Sequence, residues 1–132
     1  MKRKTFLYLF AVTAIDLPIL SGCRIDESLI NSLKKTTFLS QVLDEKTIHE
    51  IGKAYKVMVP SEKSNDDLAE LILTDRENKS YLKKFSKTLD KEAISLFIDE
   101  KIKDDMNHQT TMIVNGWLIS LTEARQCALL AN

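Results

Sequence analysis

The sequence predicts a mainly α-helical protein: a small helical bundle that carries a C-terminal β-hairpin (about 111–114 and 117–120) followed by a final helix. Three observations lead there. Apolar residues between Phe38 and Met106 recur at steps of three and four, the period of a helix with one buried face. After His108 the pattern changes to two short apolar runs flanking Asn115-Gly116, the dipeptide suited to a turn in which both central residues have positive φ. Beyond residue 22 the chain has only Gly52 and Gly116, too few for an all-β fold rich in tight turns.

The first helical stretch carries Phe38, Leu39, Val42 and Leu43, then Ile48, Ile51, Tyr55 and Met58 on one face. Pro60 ends it, because the residue before proline is pushed out of helical geometry. A second helix carries Leu68, Leu71 and Ile72 behind an N-cap at Ser64 or Asn65, and a shorter third carries Tyr81, Leu82 and Phe85. Asp90 caps a fourth, whose stripe of Ile94, Phe97, Ile98, Ile102 and Met106 is the longest in the chain.

In the hairpin, pairing Val114 with Trp117 and Met112 with Ile119 puts those four on one face and Ile113 and Leu118 on the other. Both faces are apolar, so both are expected to be covered, one by the last helix and one by the bundle. Ser120-Leu121-Thr122-Glu123 fits a capping box that starts this last helix.

The N-terminus has a different logic. Lys2, Arg3 and Lys4 precede "FLYLFAVTAIDLPIL", an apolar run too short and interrupted to span a membrane as a helix. Asp16 within it costs about 2.5 to 3.5 kcal/mol at a membrane helix centre, so the signal is weakly hydrophobic. Leu20-Ser21-Gly22-Cys23 follows, and it resembles the lipobox of bacterial lipoproteins. In that family a diacylglycerol is attached to the cysteine thiol and the chain is cut just before it. An ordinary secretory signal, or an apolar helix of an unexported chain, would also explain the basic start and apolar run; the small residues before Cys23 favour the lipobox. Arg3-Lys4-Thr5-Phe6-Leu7 resembles a twin-arginine signal with lysine at the second arginine, which leaves Sec and twin-arginine export both open. The expected organisation is a signal peptide over 1–22, a lipidated tether over 23–35, in which Leu29, Ile30 and Leu33 could instead begin a helix, and a single helical domain with hairpin over 36–132. In lipoproteins an aspartate after the cysteine favours the inner membrane; Arg24 stands there, so the outer membrane is favoured in a host with two.

Removing residues 1–22 from the 132 leaves 110, and takes Lys2, Arg3, Lys4 and Asp16 from 19 basic and 19 acidic side chains. The mature chain then has 16 and 18, a net charge of −2, with no basic footprint for nucleic acid. Lipid on Cys23 leaves Cys127 as the remaining cysteine, so no intramolecular disulfide is expected even in an oxidising compartment.

"IGKAY" at Ile51 to Tyr55, "VPSE" at Val59 to Glu62 and "VNGWLISLTEARQCAL" at Val114 to Leu129 resemble a group of small exported bacterial proteins. These carry an Ile-Gly-x-x-Tyr helix and end in a Gly-Trp-x-x-Ser-x-Thr-Glu-Ala-Arg helix. That resemblance implies export and a helical body without a particular activity. The size, signal, helical body and late tryptophan are also similar to the small subunits of membrane-associated flavin-dependent sugar dehydrogenases, of the gluconate 2-dehydrogenase third-subunit type. Those usually show Trp-Tyr-x-Gly where this chain has Trp117-Leu118-Ile119-Ser120. The second resemblance implies an assembly and export companion of an oxidoreductase.

Catalytic motifs are sparse. There is no Gly-x-Ser-x-Gly, and glycines 64 positions apart cannot build a phosphate-cradling loop. The two histidines are His49 and His108. Asp105-x-x-His108, with Asp104 nearby, is half of a bundle metal motif and supplies too few ligands; a solvated helix end with His108 near the C-terminal dipole explains the same residues. Cys127, between alanines on the last helix, reads as a small buried hydrophobe sooner than as a nucleophile. Trp117 fits a core anchor or a partner-binding anchor. Glu123 is explained by capping, whereas Arg125 has no local role and fits an interface or a buried ion pair. The expectation is thus a lipid-anchored envelope protein without catalytic residues, metal or cofactor, with Trp117 and Arg125 as candidate interface residues. Its partner would be an exported protein, with an oxidoreductase the class the resemblance implies. The alternative is a self-standing lipoprotein that binds a small ligand or envelope component between helices and hairpin.

Overall fold

A computed structural model describes residues 25–35, 43–62 and 64–132. Cys23, residues 1–22, expected as a signal peptide, and Phe38, Leu39 and Val42 lie outside the described residues. The fold is mainly helical, with an antiparallel two-stranded hairpin followed by a final helix, as the sequence predicts. In chain order the elements are α1 (Glu27–Lys35), α2 (Glu45–Met58), α3 (Asn65–Ile72), α4 (Leu82–Thr88), α5 (Lys91–Asn107), β1 (Thr111–Val114), β2 (Trp117–Ser120) and α6 (Leu121–Leu130).

Most helix starts follow from their caps. Asp44 accepts from the Thr47 amide at 2.7 Å to open α2, Ser64 from the Asp67 amide at 3.0 Å to open α3, and Asp90 from the Glu92 and Ala93 amides to open α5. Each satisfies backbone N–H groups that have no partner inside the helix. At α6 both halves of the capping box form: the Glu123 amide donates to Ser120 Oγ at 3.0 Å, and the Ser120 amide to Glu123 Oε1 at 2.9 Å.

Residues 27–35 are not a tether. They form α1, with Leu29, Ile30 and Leu33 buried on one face, because three large apolar side chains at steps of one and four make a stripe the bundle can cover. Two predicted stripes also end earlier than expected. Met58, in the last turn of α2, is exposed, and so is Met106 on α5, where Asp105 takes the inward position instead.

The core gathers around α6. Ala124, Cys127, Ala128 and Leu129 are buried against Ile48, Ile51 and Tyr55 of α2, Leu68 and Ile72 of α3, and Ile94 and Ile98 of α5. Small side chains on α6 let α2 approach closely. A Cβ built on Gly52 would sit 2.1 Å from the Cys127 carbonyl oxygen and 2.8 Å from the Ala131 methyl, so this position has room for glycine alone.

The hairpin has the predicted register, with Val114 opposite Trp117 and Met112 opposite Ile119, and Asn115 and Gly116 both take positive φ (51° and 84°). Its covering differs from the expectation. Val114 and Ile119 are buried, but Ile113 and Leu118, a cross-strand pair on the opposite face, are 65% and 64% exposed. Two strands have one face against the domain, and among the described residues no further layer lies over the other.

Candidate functional site

The motif residues of the sequence converge in space. Arg125, on α6, donates from Nε to Glu62 Oε1 at 2.9 Å and from a terminal nitrogen to Glu62 Oε2 at 3.2 Å. Tyr55, on α2, donates its hydroxyl to the same Oε1 at 2.5 Å. The two charged side chains are 14% and 17% exposed, so the forked guanidinium grips a largely dehydrated carboxylate. Burial alone would lower the Arg125 pKa, but the Glu62 hydrogen bonds and charge outweigh it and the net direction is upward. Burial raises the Tyr55 phenol well above its ordinary value, so it stays a neutral donor. Of the two roles open to Arg125, the structure shows the ion pair: its charge is matched inside the domain.

Beside this network lies a polar cleft of about 260 Å3, between the α3–α4 loop, the second half of α5 and the start of α6. Lys101 lines it, donating to the carbonyls of Leu71 and Ile72 (2.8 Å to Ile72), the C-terminal carbonyls of α3 that lack helical partners. Burial first, then the Arg125 charge, pushes the Lys101 pKa down to about 8. Asp105 does the converse for α6. Its Oδ2 accepts from the Thr122 amide at 2.9 Å and hydroxyl at 2.6 Å, an anion at a helix N-terminus. Arg76 closes the outer side, donating to Asp104 at 2.9 Å and to the Thr110 hydroxyl at 2.7 Å. The cleft therefore presents cationic donors and carboxylates side by side, with Thr110 and Asn78 at its walls.

Asp105 and His108 do not converge. Asp105 turns inward to Thr122, while His108 is exposed and its Nδ1 lies 3.1 Å from Asp104 Oδ1. Among the described residues no group of three His, Cys, Asp or Glu is placed to hold a metal ion, and His49 sits apart at the start of α2. Cys127 is buried, and burial, with Glu123 adding, pushes its thiol up to about 12, so it is not ionised at neutral pH. Trp117 is 44% exposed, on the face of β2 shared with Ile119.

Sequence reasoning assigns no site role to Lys101, Thr122 or Arg76, and it reads Asp105 as half of a metal motif or a solvated helix end, not as the partner of Thr122. A signal existed for two of them: Lys101 and Asp105 fall within the apolar stripe of α5, where a charge must find a partner or water. Arg76, in a loop, gives no such sign. Among the described residues no helix is long and apolar enough to cross a membrane.

No protein-family model, curated protein or solved structure matches this chain.

Proposed function

We propose that this chain is a lipid-anchored cell-envelope protein, facing the periplasm and held by lipid on Cys23. Its helical domain acts as a non-catalytic accessory or assembly subunit of a larger exported protein. A flavin-dependent dehydrogenase is the partner class the sequence resemblance implies, and the outer membrane is the favoured site in a host with two. The location rests on the lipobox at Leu20–Cys23. The observation that carries the docking role is the exposed Ile113–Leu118 pair, with Trp117 at the strand end. Apolar cross-strand pairs and a half-exposed tryptophan are the kind of surface a protein partner desolvates. Metabolic labelling with a fatty acid should mark the wild type and leave Cys23→Ser unmarked; label on the variant overturns the anchor. Purification in mild detergent should bring down a larger protein with flavin absorbance, and a chain that purifies alone from its own envelope overturns the subunit role.

The polar cleft favours a second reading, a self-standing lipoprotein that binds a small polar ligand there. Arg76, Lys101 and Thr110 supply donors and Asp104 an acceptor around about 260 Å3, enough for a small zwitterion or sugar acid. Binding of that kind would raise the melting temperature with ligand concentration. The rise should vanish in Arg76→Ala.

A further inference from the structure

The link between anchor and domain is too short to act as a spacer. Ile25 is buried and α1 starts at Glu27, so two peptide units, about 7 Å of chain, separate Cys23 from a side chain fixed in the core. The beginning of α1 lies at one end of the bundle. There Ser28, Asn31 and Ser32 line a cavity with Leu89 and Lys91, the junction of α4 and α5. This junction and the helix leading to it carry Lys84, Lys87 and Lys91, all exposed. The hairpin is rooted at the other end of α5, where the Thr110 amide donates to Asp105 O and the Leu121 amide to Thr110 O. The 17 residues of α5 put roughly 25 Å between the two ends.

Resting on the lipidated reading of Cys23, we propose that the domain sits flush on a phospholipid leaflet with anionic headgroups. The start of α1 and the α4–α5 junction face the lipid, and the base of the hairpin is raised about 25 Å above it. The acyl chains hold the protein and the lysines set its orientation, since basic side chains near the surface are drawn to anionic headgroups. The lysines cannot supply the affinity themselves. Asp26, Glu27, Asp90 and Glu92 belong to the same end, although Asp26 turns to the Ser28 amide and Asp90 to those of Glu92 and Ala93. This placement keeps Ile113 and Leu118 on the part of the domain rooted away from lipid, where an envelope partner can reach them.

The test uses the full lipidated chain in vesicles of phosphatidylethanolamine and phosphatidylglycerol doped with a nickel-chelating lipid. A nitroxide is placed at Thr88→Cys or at Ile113→Cys; Cys127 is buried and Cys23 is blocked by its lipid. Relaxation by the nickel should be several-fold stronger at position 88 than at 113, and equal or reversed relaxation overturns the orientation. Lys84→Glu with Lys87→Glu should shrink that contrast in phosphatidylglycerol vesicles, and an unchanged contrast removes the lysines from the proposal. The intact mass reads the anchor separately: a chain without added diacylglycerol refutes the lipidated reading, and the flush placement with it.

Discussion

The seam between α2 and α6 and the outer face of the hairpin use the same kinds of residue to opposite ends. In the seam, the groups that look functional in the sequence are used by the fold itself: Tyr55 and Arg125 converge on Glu62, and Gly52 admits the Cys127 carbonyl. On the hairpin, Ile113 and Leu118 are exposed, and none of the described residues covers them. A residue without a local role is therefore not by that fact an interface residue. Arg125 stood out in the sequence because its partner lies 63 positions away, whereas Ile113 and Leu118 looked like ordinary core residues and are the exposed ones.

The seam should break hardest at Gly52. In Gly52→Ala the new methyl would meet Cys127 O at 2.1 Å, and backbone cannot rotate away as a flexible side chain can. We expect a loss of about 4 kcal/mol or more, in the range where few point substitutions fall. A thermal melt within a few degrees of wild type would show that the two helices do not cross this closely.

Next comes the ion pair. Arg125→Ala leaves the Glu62 carboxylate in a largely dry site with only the Tyr55 hydroxyl, and should cost about 3 kcal/mol. Glu62→Gln combined with Arg125→Met should cost clearly less than the two single changes added, because neither charge is then stranded. Urea unfolding of the four proteins measures this. Additive losses would mean that the pair is not one unit.

Smaller still is the effect of pH on the cleft beside the seam. Lys101 has a folded pKa of about 8 against an ordinary 10.5. Between those values the unfolded chain binds the proton more than the folded one, so stability rises as pH increases through 8 and is lower below it. Cys127 acts the other way above pH 9: the unfolded thiol ionises near 9.0, the folded one only near about 12. We expect wild-type stability to increase by about 1 kcal/mol from pH 7.5 to 9. Lys101→Met should flatten that rise, and a rise that persists would assign it to another group.

What was legible in the sequence divides along the range of the interaction. The caps at Ser64, Asp90 and Ser120 act within three residues, and Asn115-Gly116 sets its turn through its own φ angles, so local pattern carries these helix starts and the hairpin register; the Asp44 cap, which starts α2 inside the apolar stretch that begins at Phe38, is not among the sequence expectations. The hydrophobic period placed Ile48, Ile51, Tyr55, Ile94 and Ile98 in the core. It does not say which faces find a neighbour, so for residues 27–35 it leaves a tether and a helix both open, and it predicts a cover for the outer hairpin face that the described residues do not supply. The cleft was invisible for the same reason. Lys101 meets carbonyls 29 and 30 positions away, and Thr122 meets Asp105 across 17.

The smallest expected effect on stability is also the one that sharpens the contrast most. Ile113 and Leu118 are about two-thirds exposed, so changing both to serine removes little buried surface and leaves the register to Val114, Ile119 and the turn. Serine is a weaker strand former than isoleucine or leucine, which costs a few tenths of a kcal/mol, and relief of exposed apolar area offsets part of that. Stability should therefore change by less than about 0.5 kcal/mol, as for surface positions in general. If the pair docks a partner, the same protein should lose the co-purifying subunit while keeping its melting temperature, and Arg125→Lys, which keeps the charge inside the seam, should keep the subunit. A strongly destabilised Ile113→Ser, Leu118→Ser protein would mean that this face is covered within the chain. Unchanged stability together with unchanged association would move the docking surface elsewhere and leave the cleft as the stronger candidate.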